Sequence, residues 1–185
     1  MKFSQSQLQK LVAGKPITED WPWGTADRRL VEKHIKSLIA TIRRDLRVKD
    51  KTDFNHYGSG YASFVDCWLY RENNDFRFGE EQNSYIGLVV LFSRLTNVFS
   101  LAEGTKCWRR ESSGSYMPSF EIIDQIEHPS VRDLEEPVTS ILGRHGLERL
   151  KRVDIGSSLS DRISVPTILE GDFVREYDAI FYWED

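Results

Sequence analysis

Two hydrophobic periods divide the chain. Between Asp27 and Val48, apolar residues fall at Val31, Ile35, Leu38, Ile42 and Leu46, with Leu30 and Ile39 on the flanks. Steps of three and four make one stripe of an amphipathic helix. The pattern predicts a long helix from a Thr25 cap to about Val48. A shorter helix is expected over residues 4–14, with Ser4 satisfying its first amides and Gly14 at its exit. Between them, Asp20-Trp21-Pro22-Trp23-Gly24 reads as a loop because Pro22 and Gly24 punctuate it.

From Tyr61 the period shortens. Tyr61 to Tyr70 is rich in aromatic and β-favouring residues and predicts a strand. Arg71 to Asn83 is too hydrophilic for core. Ser84 to Phe92 is apolar on both faces, as a covered central strand is. Further strands are expected over Asn97–Ala102 and Thr105–Arg110, with Glu103-Gly104 as the turn between them. Ser112–Ser115 reads as another turn and Phe120–Ile126 as a strand. Pro129 opens a helix to about Leu142, which Pro137 is expected to split. Leu147–Ile155 reads as a strand, Gly156–Asp161 as a loop, and Phe173–Trp183 as a closing strand. Sequential strands with short turns point to a single α+β domain over residues 1–185. In it, N-terminal helices pack on a mainly antiparallel sheet, with a further helix in the C-terminal half.

Composition narrows the class. The 185 residues carry 12% aromatics and a net charge of −4. A chain of this length buries about 70% of its unfolded surface and needs no metal or disulfide staple. Met1-Lys2-Phe3-Ser4-Gln5 lacks the apolar run of a secretory signal. The longest apolar stretch, Ile86 to Phe92, is far short of the about 20 residues of a membrane span. Cys67 and Cys107 form no C-x-x-C pair, which fits thiols in a reducing cytoplasm.

No motif dictates a chemistry. His34, His56, His128 and His145 form no metal-ligand spacing, and each has a structural explanation. No cofactor or metal is expected. His56-Tyr57-Gly58-Ser59-Gly60-Tyr61 is the best candidate loop, but Gly58 and Gly60 lack a third glycine and lead into a strand. A plain turn is the stronger reading. Most carboxylates read as solvated surface, whereas Asp66 and Asp178 interrupt apolar or aromatic strands.

Charge is unevenly placed. Residues 28–51 hold nine bases and three acids, so this segment is +6 and the remainder −10. Arg29, Lys33, Lys36, Arg43 and Arg47 share one helix face opposite the apolar stripe. That face is either a solvated helix back or a surface for an acidic partner. Residues 170–185 carry six acids against Arg175. Trp21 and Trp23 either cover the end of the core or stand exposed as binding anchors.

The small, acidic, aromatic-rich chain, with its closing Tyr177-Asp178-Ala179-Ile180-Phe181-Tyr182-Trp183-Glu184-Asp185, resembles bacterial immunity proteins. These neutralise a cognate toxin. The resemblance implies a non-catalytic inhibitor that occludes the active site of a protein toxin, often a nuclease, or a neighbouring surface. Glu80, Glu81, Asp172, Glu176 and Asp178, with Trp21 and Trp23, would then meet a basic partner. Two other classes remain open. One is a small hydrolase or transferase using His56 and a strand acid such as Asp66. The other is a nucleic-acid module using the basic helix, which the net negative charge disfavours.

Overall fold

The computed structural model describes residues 2–58, 60–79, 83–108, 113–166 and 174–184; the side chains of Tyr57 and Ser113 lie outside the description. The architecture is α+β. α1 (Gln5–Val12) and α2 (Arg28–Leu46) precede the strands, and α3 (Pro129–Arg144) follows most of them. The main sheet orders its strands β1 (Lys49–Asp53), β3 (Phe64–Tyr70), β4 (Ser84–Ser93), β5 (Val98–Trp108) and β6 (Ser113–Ser115). These neighbours are all antiparallel, and β7 (Glu148–Arg149) joins β5 in parallel. A second sheet pairs β2 (Tyr61–Ala62) with β8 (Trp183–Glu184). No helix among the described residues is long and apolar enough to cross a membrane.

The helices form where the pattern places them, with different ends. Ser4 and Gln7 make the reciprocal capping box of α1. Asp27, not Thr25, caps α2: its carboxylate accepts the amides of Arg29 and Leu30. Thr25 instead donates its hydroxyl to the Pro22 carbonyl at 2.6 Å. α2 stops when Arg47 turns left-handed at φ 52°. The chain then enters β1, whose five residues Lys49 to Asp53 are all polar and carry no strand periodicity. Pro137 does not split α3. Val131, Leu134, Val138, Ile141 and Leu142 bury one continuous stripe that holds the helix through the missing amide.

The central strands are covered on both faces, and all ten residues of β4 are buried. Antiparallel register puts Asp50, Leu69 and Leu88 on one face. Arg43 of α2 reaches Asp50 at 3.2 Å, so α2 lies over that face. The opposite face carries an aromatic cluster in which Trp68 stacks on Tyr70 at 4.4 Å and Tyr85 on Trp108 at 5.5 Å.

Several strand predictions fail for identifiable reasons. Glu103-Gly104 is no turn. Gly104 lies inside β5, opposite Gly87 of β4. Both glycines relieve close approaches: a Cβ at Gly104 would overlap the Tyr116 ring, and one at Gly87 would overlap the Leu69 carbonyl oxygen and lie 2.7 Å from the Trp68 indole. Ser113–Ser115 is strand rather than turn. Phe120–Ile126 contributes a 3-10 turn and one bridge, Ala102 to Ile123. Leu147–Ile155 divides into β7 and a short helix, α4 (Arg152–Ile155). Arg71–Asn83 does reach the core, through Phe76. The expected closing strand is mostly a helix, α5 (Glu176–Ile180), followed by β8, while Phe173 lies outside the described residues. Tyr177, Ile180 and Phe181 recur at helical steps of three and four and are all buried.

The Tyr61–Tyr70 strand breaks at Ser63 into β2 and β3. Ser63 is fully buried. Its amide donates to the Tyr182 carbonyl at 2.8 Å, its carbonyl accepts Arg94 N–H at 2.8 Å, and its hydroxyl accepts the Tyr182 amide at 2.9 Å. This residue stitches the second sheet to the first.

Gly87→Ala is expected to lose about 2 kcal/mol, because the added methyl overpacks a covered strand. Urea denaturation should show a lower midpoint at unchanged slope.

Candidate interaction surface

The loop before α2 splits the two tryptophans. Trp23 is 2% exposed and donates its indole N–H to the Ser93 carbonyl at 3.0 Å. It closes the end of the core. Trp21 is 65% exposed. His34 stands between them, with its ring edge-on to Trp21 at 5.2 Å and to Trp23 at 5.6 Å. Burial, then the nearby His145, lowers the His34 pKa. The ring is therefore neutral at pH 7 and acts as an aromatic spacer. Leu30 lies one helical turn before His34 and is 37% exposed. A row of edge-on rings thus ends in solvent as Trp21.

The basic ridge runs along the same helix. Arg29, Lys33, Lys36, Arg43 and Arg47 are all exposed. Arg43 pairs with Asp50, and the Lys36 ammonium sits 4.6 Å from the centre of the Phe54 ring. Among the described residues Arg29, Lys33 and Arg47 have no ion-pair partner.

The acids assemble no matching face among the described residues. Glu80, Glu81 and Asp172 lie outside them. Glu176 is fully buried, and neither carboxylate oxygen has a hydrogen-bond partner there. Burial raises its pKa, and it is no surface contact. Asp178 accepts the Arg175 backbone N–H at 2.7 Å, capping α5, and burial raises its pKa too.

A buried polar cluster flanks the start of α2. Arg94 is 4% exposed. It donates to Glu32 at 3.0 Å, to the carbonyls of Ala62 at 2.9 Å and Phe54 at 3.1 Å, and to that of Phe64. Arg28 donates to the same Glu32 oxygen at 2.8 Å and also meets His56 Nε2. His56 Nδ1 accepts the Ala62 amide at 3.0 Å. Burial, then Arg94 and Arg28, push His56 down to about 4. Asp66 belongs to a different cluster. It accepts the Tyr116 hydroxyl at 2.6 Å and faces the Lys106 ammonium at 3.7 Å. The structure therefore does not join His56 and Asp66 in one site. Arg94 has only a faint signal in the sequence, a lone arginine just after an apolar strand.

Among the described residues no group of histidine, cysteine and acidic side chains is arranged to hold a metal. No protein-family profile, curated protein or solved structure matches the chain.

The depressed His56 pKa has a sign. The unfolded chain takes up this proton near the ordinary 6.5, and the folded one only near 4. Stability from neutral His56 is thus complete above pH 6.5 and is lost as pH falls towards 4. Denaturation at stepped pH should show this slope. His56→Asn, which tolerates the left-handed backbone and keeps an acceptor, should flatten it.

Proposed function

We propose that the chain acts by binding another protein, in the manner of an immunity-type inhibitor, and that it does so through Trp21 and the outer face of α2. The carrying observation is Trp21 itself: a large aromatic side chain, mostly in solvent, backed by two further rings. Exposed tryptophans with rigid support make strong interface anchors, because little side-chain freedom is lost on docking. Leu30 widens the apolar contact, and Arg29 and Lys33 give the surrounding rim a positive sign.

This polarity alters the contact that the resemblance implies. An acidic patch on the partner, such as one beside a metal-dependent active site, complements the ridge. The charges then steer the encounter and the aromatic anchor slows dissociation. Inhibition follows from steric occlusion of the partner's active site or of the surface next to it. The same reading places the chain in the cytoplasm, where Cys67 and Cys107 stay thiols. The hydrolase or transferase reading gathers less support, since His56 is held neutral among arginines and apart from Asp66.

Co-expression with the product of the adjacent gene tests the proposal. The pair should restore growth and co-purify. Trp21→Ala should weaken the complex by about 2 kcal/mol, roughly 30-fold, mainly through faster dissociation. Lys33→Glu should slow association and reduce its salt dependence. Absence of both rescue and co-purification sinks the proposal. So does tight, steeply salt-dependent binding to duplex DNA that Arg43→Glu and Arg47→Glu abolish, which assigns the ridge to nucleic acid.

A further inference from the structure

Beside the anchor, a cavity of about 190 Å³ opens between the start of α2 and the bend at Ser63. Trp23, Val31 and Leu95 give it apolar walls, and Arg28, Arg94 and Tyr61 give it polar ones. Arg28 also lines an open depression with Ala26, Asp27, Arg29 and Glu32. Its side chain is 46% exposed and connects the cavity with solvent. Resting on the protein-binding reading, we infer that this cavity receives an aspartate or glutamate side chain of the partner.

Size, charge and donor count support the assignment. At about 30 Å³ per water, the space holds roughly six waters, or a carboxylate with its methylenes. Glu32 bonds both guanidinium groups. The two guanidinium groups thus share one carboxylate, and Asp53 is a second acid acting on the same cluster. Arg94 and Arg28 push His56 towards neutrality more strongly than Glu32 and Asp53 pull it back, so the local potential is positive. A guanidinium offers five N–H donors. Arg94 commits four of them, to Glu32 and three carbonyls. Arg28 commits one to Glu32 and turns another towards His56. Both arginines line the cavity with N–H groups left over, beside the apolar walls of Trp23, Val31 and Leu95, an arrangement that suits a carboxylate on a short aliphatic stem. Trp23 joins this cavity to Trp21 through His34. A partner that covers Trp21 can place a neighbouring acidic residue against Arg28.

The test uses the whole chain and follows the Trp23 indole N–H by NMR. N-acetyl-aspartyl methylamide serves as the side-chain mimic, with sodium chloride and inorganic phosphate as controls at equal ionic strength. The mimic alone should give a saturable shift, and Arg28→Gln should remove it. The same substitution should weaken the co-expressed complex about tenfold, and Arg28→Lys, which keeps the charge, should restore part of the loss. Thermal melting confirms that both variants fold. No saturable shift, or an equal shift with phosphate, overturns the inference. If the complex still depends on Trp21 in that case, the protein-binding proposal survives. Mimic binding with partner affinity unchanged by Arg28→Gln also overturns the inference, by assigning the cavity to a free carboxylate.

Discussion

The fold depends on satisfying one buried charge. Arg94 directly follows β4, with its guanidinium almost wholly out of water. Removing such an ion from solvent costs several kcal/mol, which only well-placed partners offset. Here Glu32 supplies the countercharge from α2, and the carbonyls of Phe54, Ala62 and Phe64 accept three further N–H groups. These partners come from a helix, a loop, and both sides of the bend at Ser63. Their positions are fixed together. Arg94 thereby ties α2 to the passage from β2 to β3.

Legibility in the sequence tracked how locally each choice was determined. The α2 stripe was plain because one helix face meets one core. β4 was plain because a strand covered on both sides must be apolar throughout. Gly104 was misread because a glycine that makes room for a distant ring looks in sequence like a glycine that makes a turn. β1 was invisible because its hydrogen bonds to β3, rather than its polar side chains, define it. At α5 the aromatic spacing satisfied period two and helical steps at once, and tertiary packing decided between them. At the candidate surface, the spacing left both tryptophans open to burial or exposure, and the fold buries Trp23 and exposes Trp21. Trp23 took the inner place by finding the Ser93 carbonyl, a partner 70 residues away.

The positive half of the split charge acquires a location among the described residues. The positive half is a continuous exterior ridge on α2. The C-terminal acids are partly internal: Glu176 lies in the core and Asp178 is spent on a helix cap. Counting charges along a segment therefore overstated its surface potential, because net charge says nothing about which side chains reach water.

The stitching at Ser63 implies a hierarchy of openings. Its bonds to Tyr182 close a loop of 119 residues, and the β2–β8 pair they support has only two residues per strand. Contacts so distant in sequence and so few in number give a small cooperative unit. α5 packs on α1, so these elements form a flap that is expected to exchange its amide hydrogens as a group, before the five antiparallel strands of the main sheet. The Arg28 cavity sits along the seam of that flap, where Tyr61 of β2 meets α2. A ligand held there would slow exchange at amides far from its own contacts.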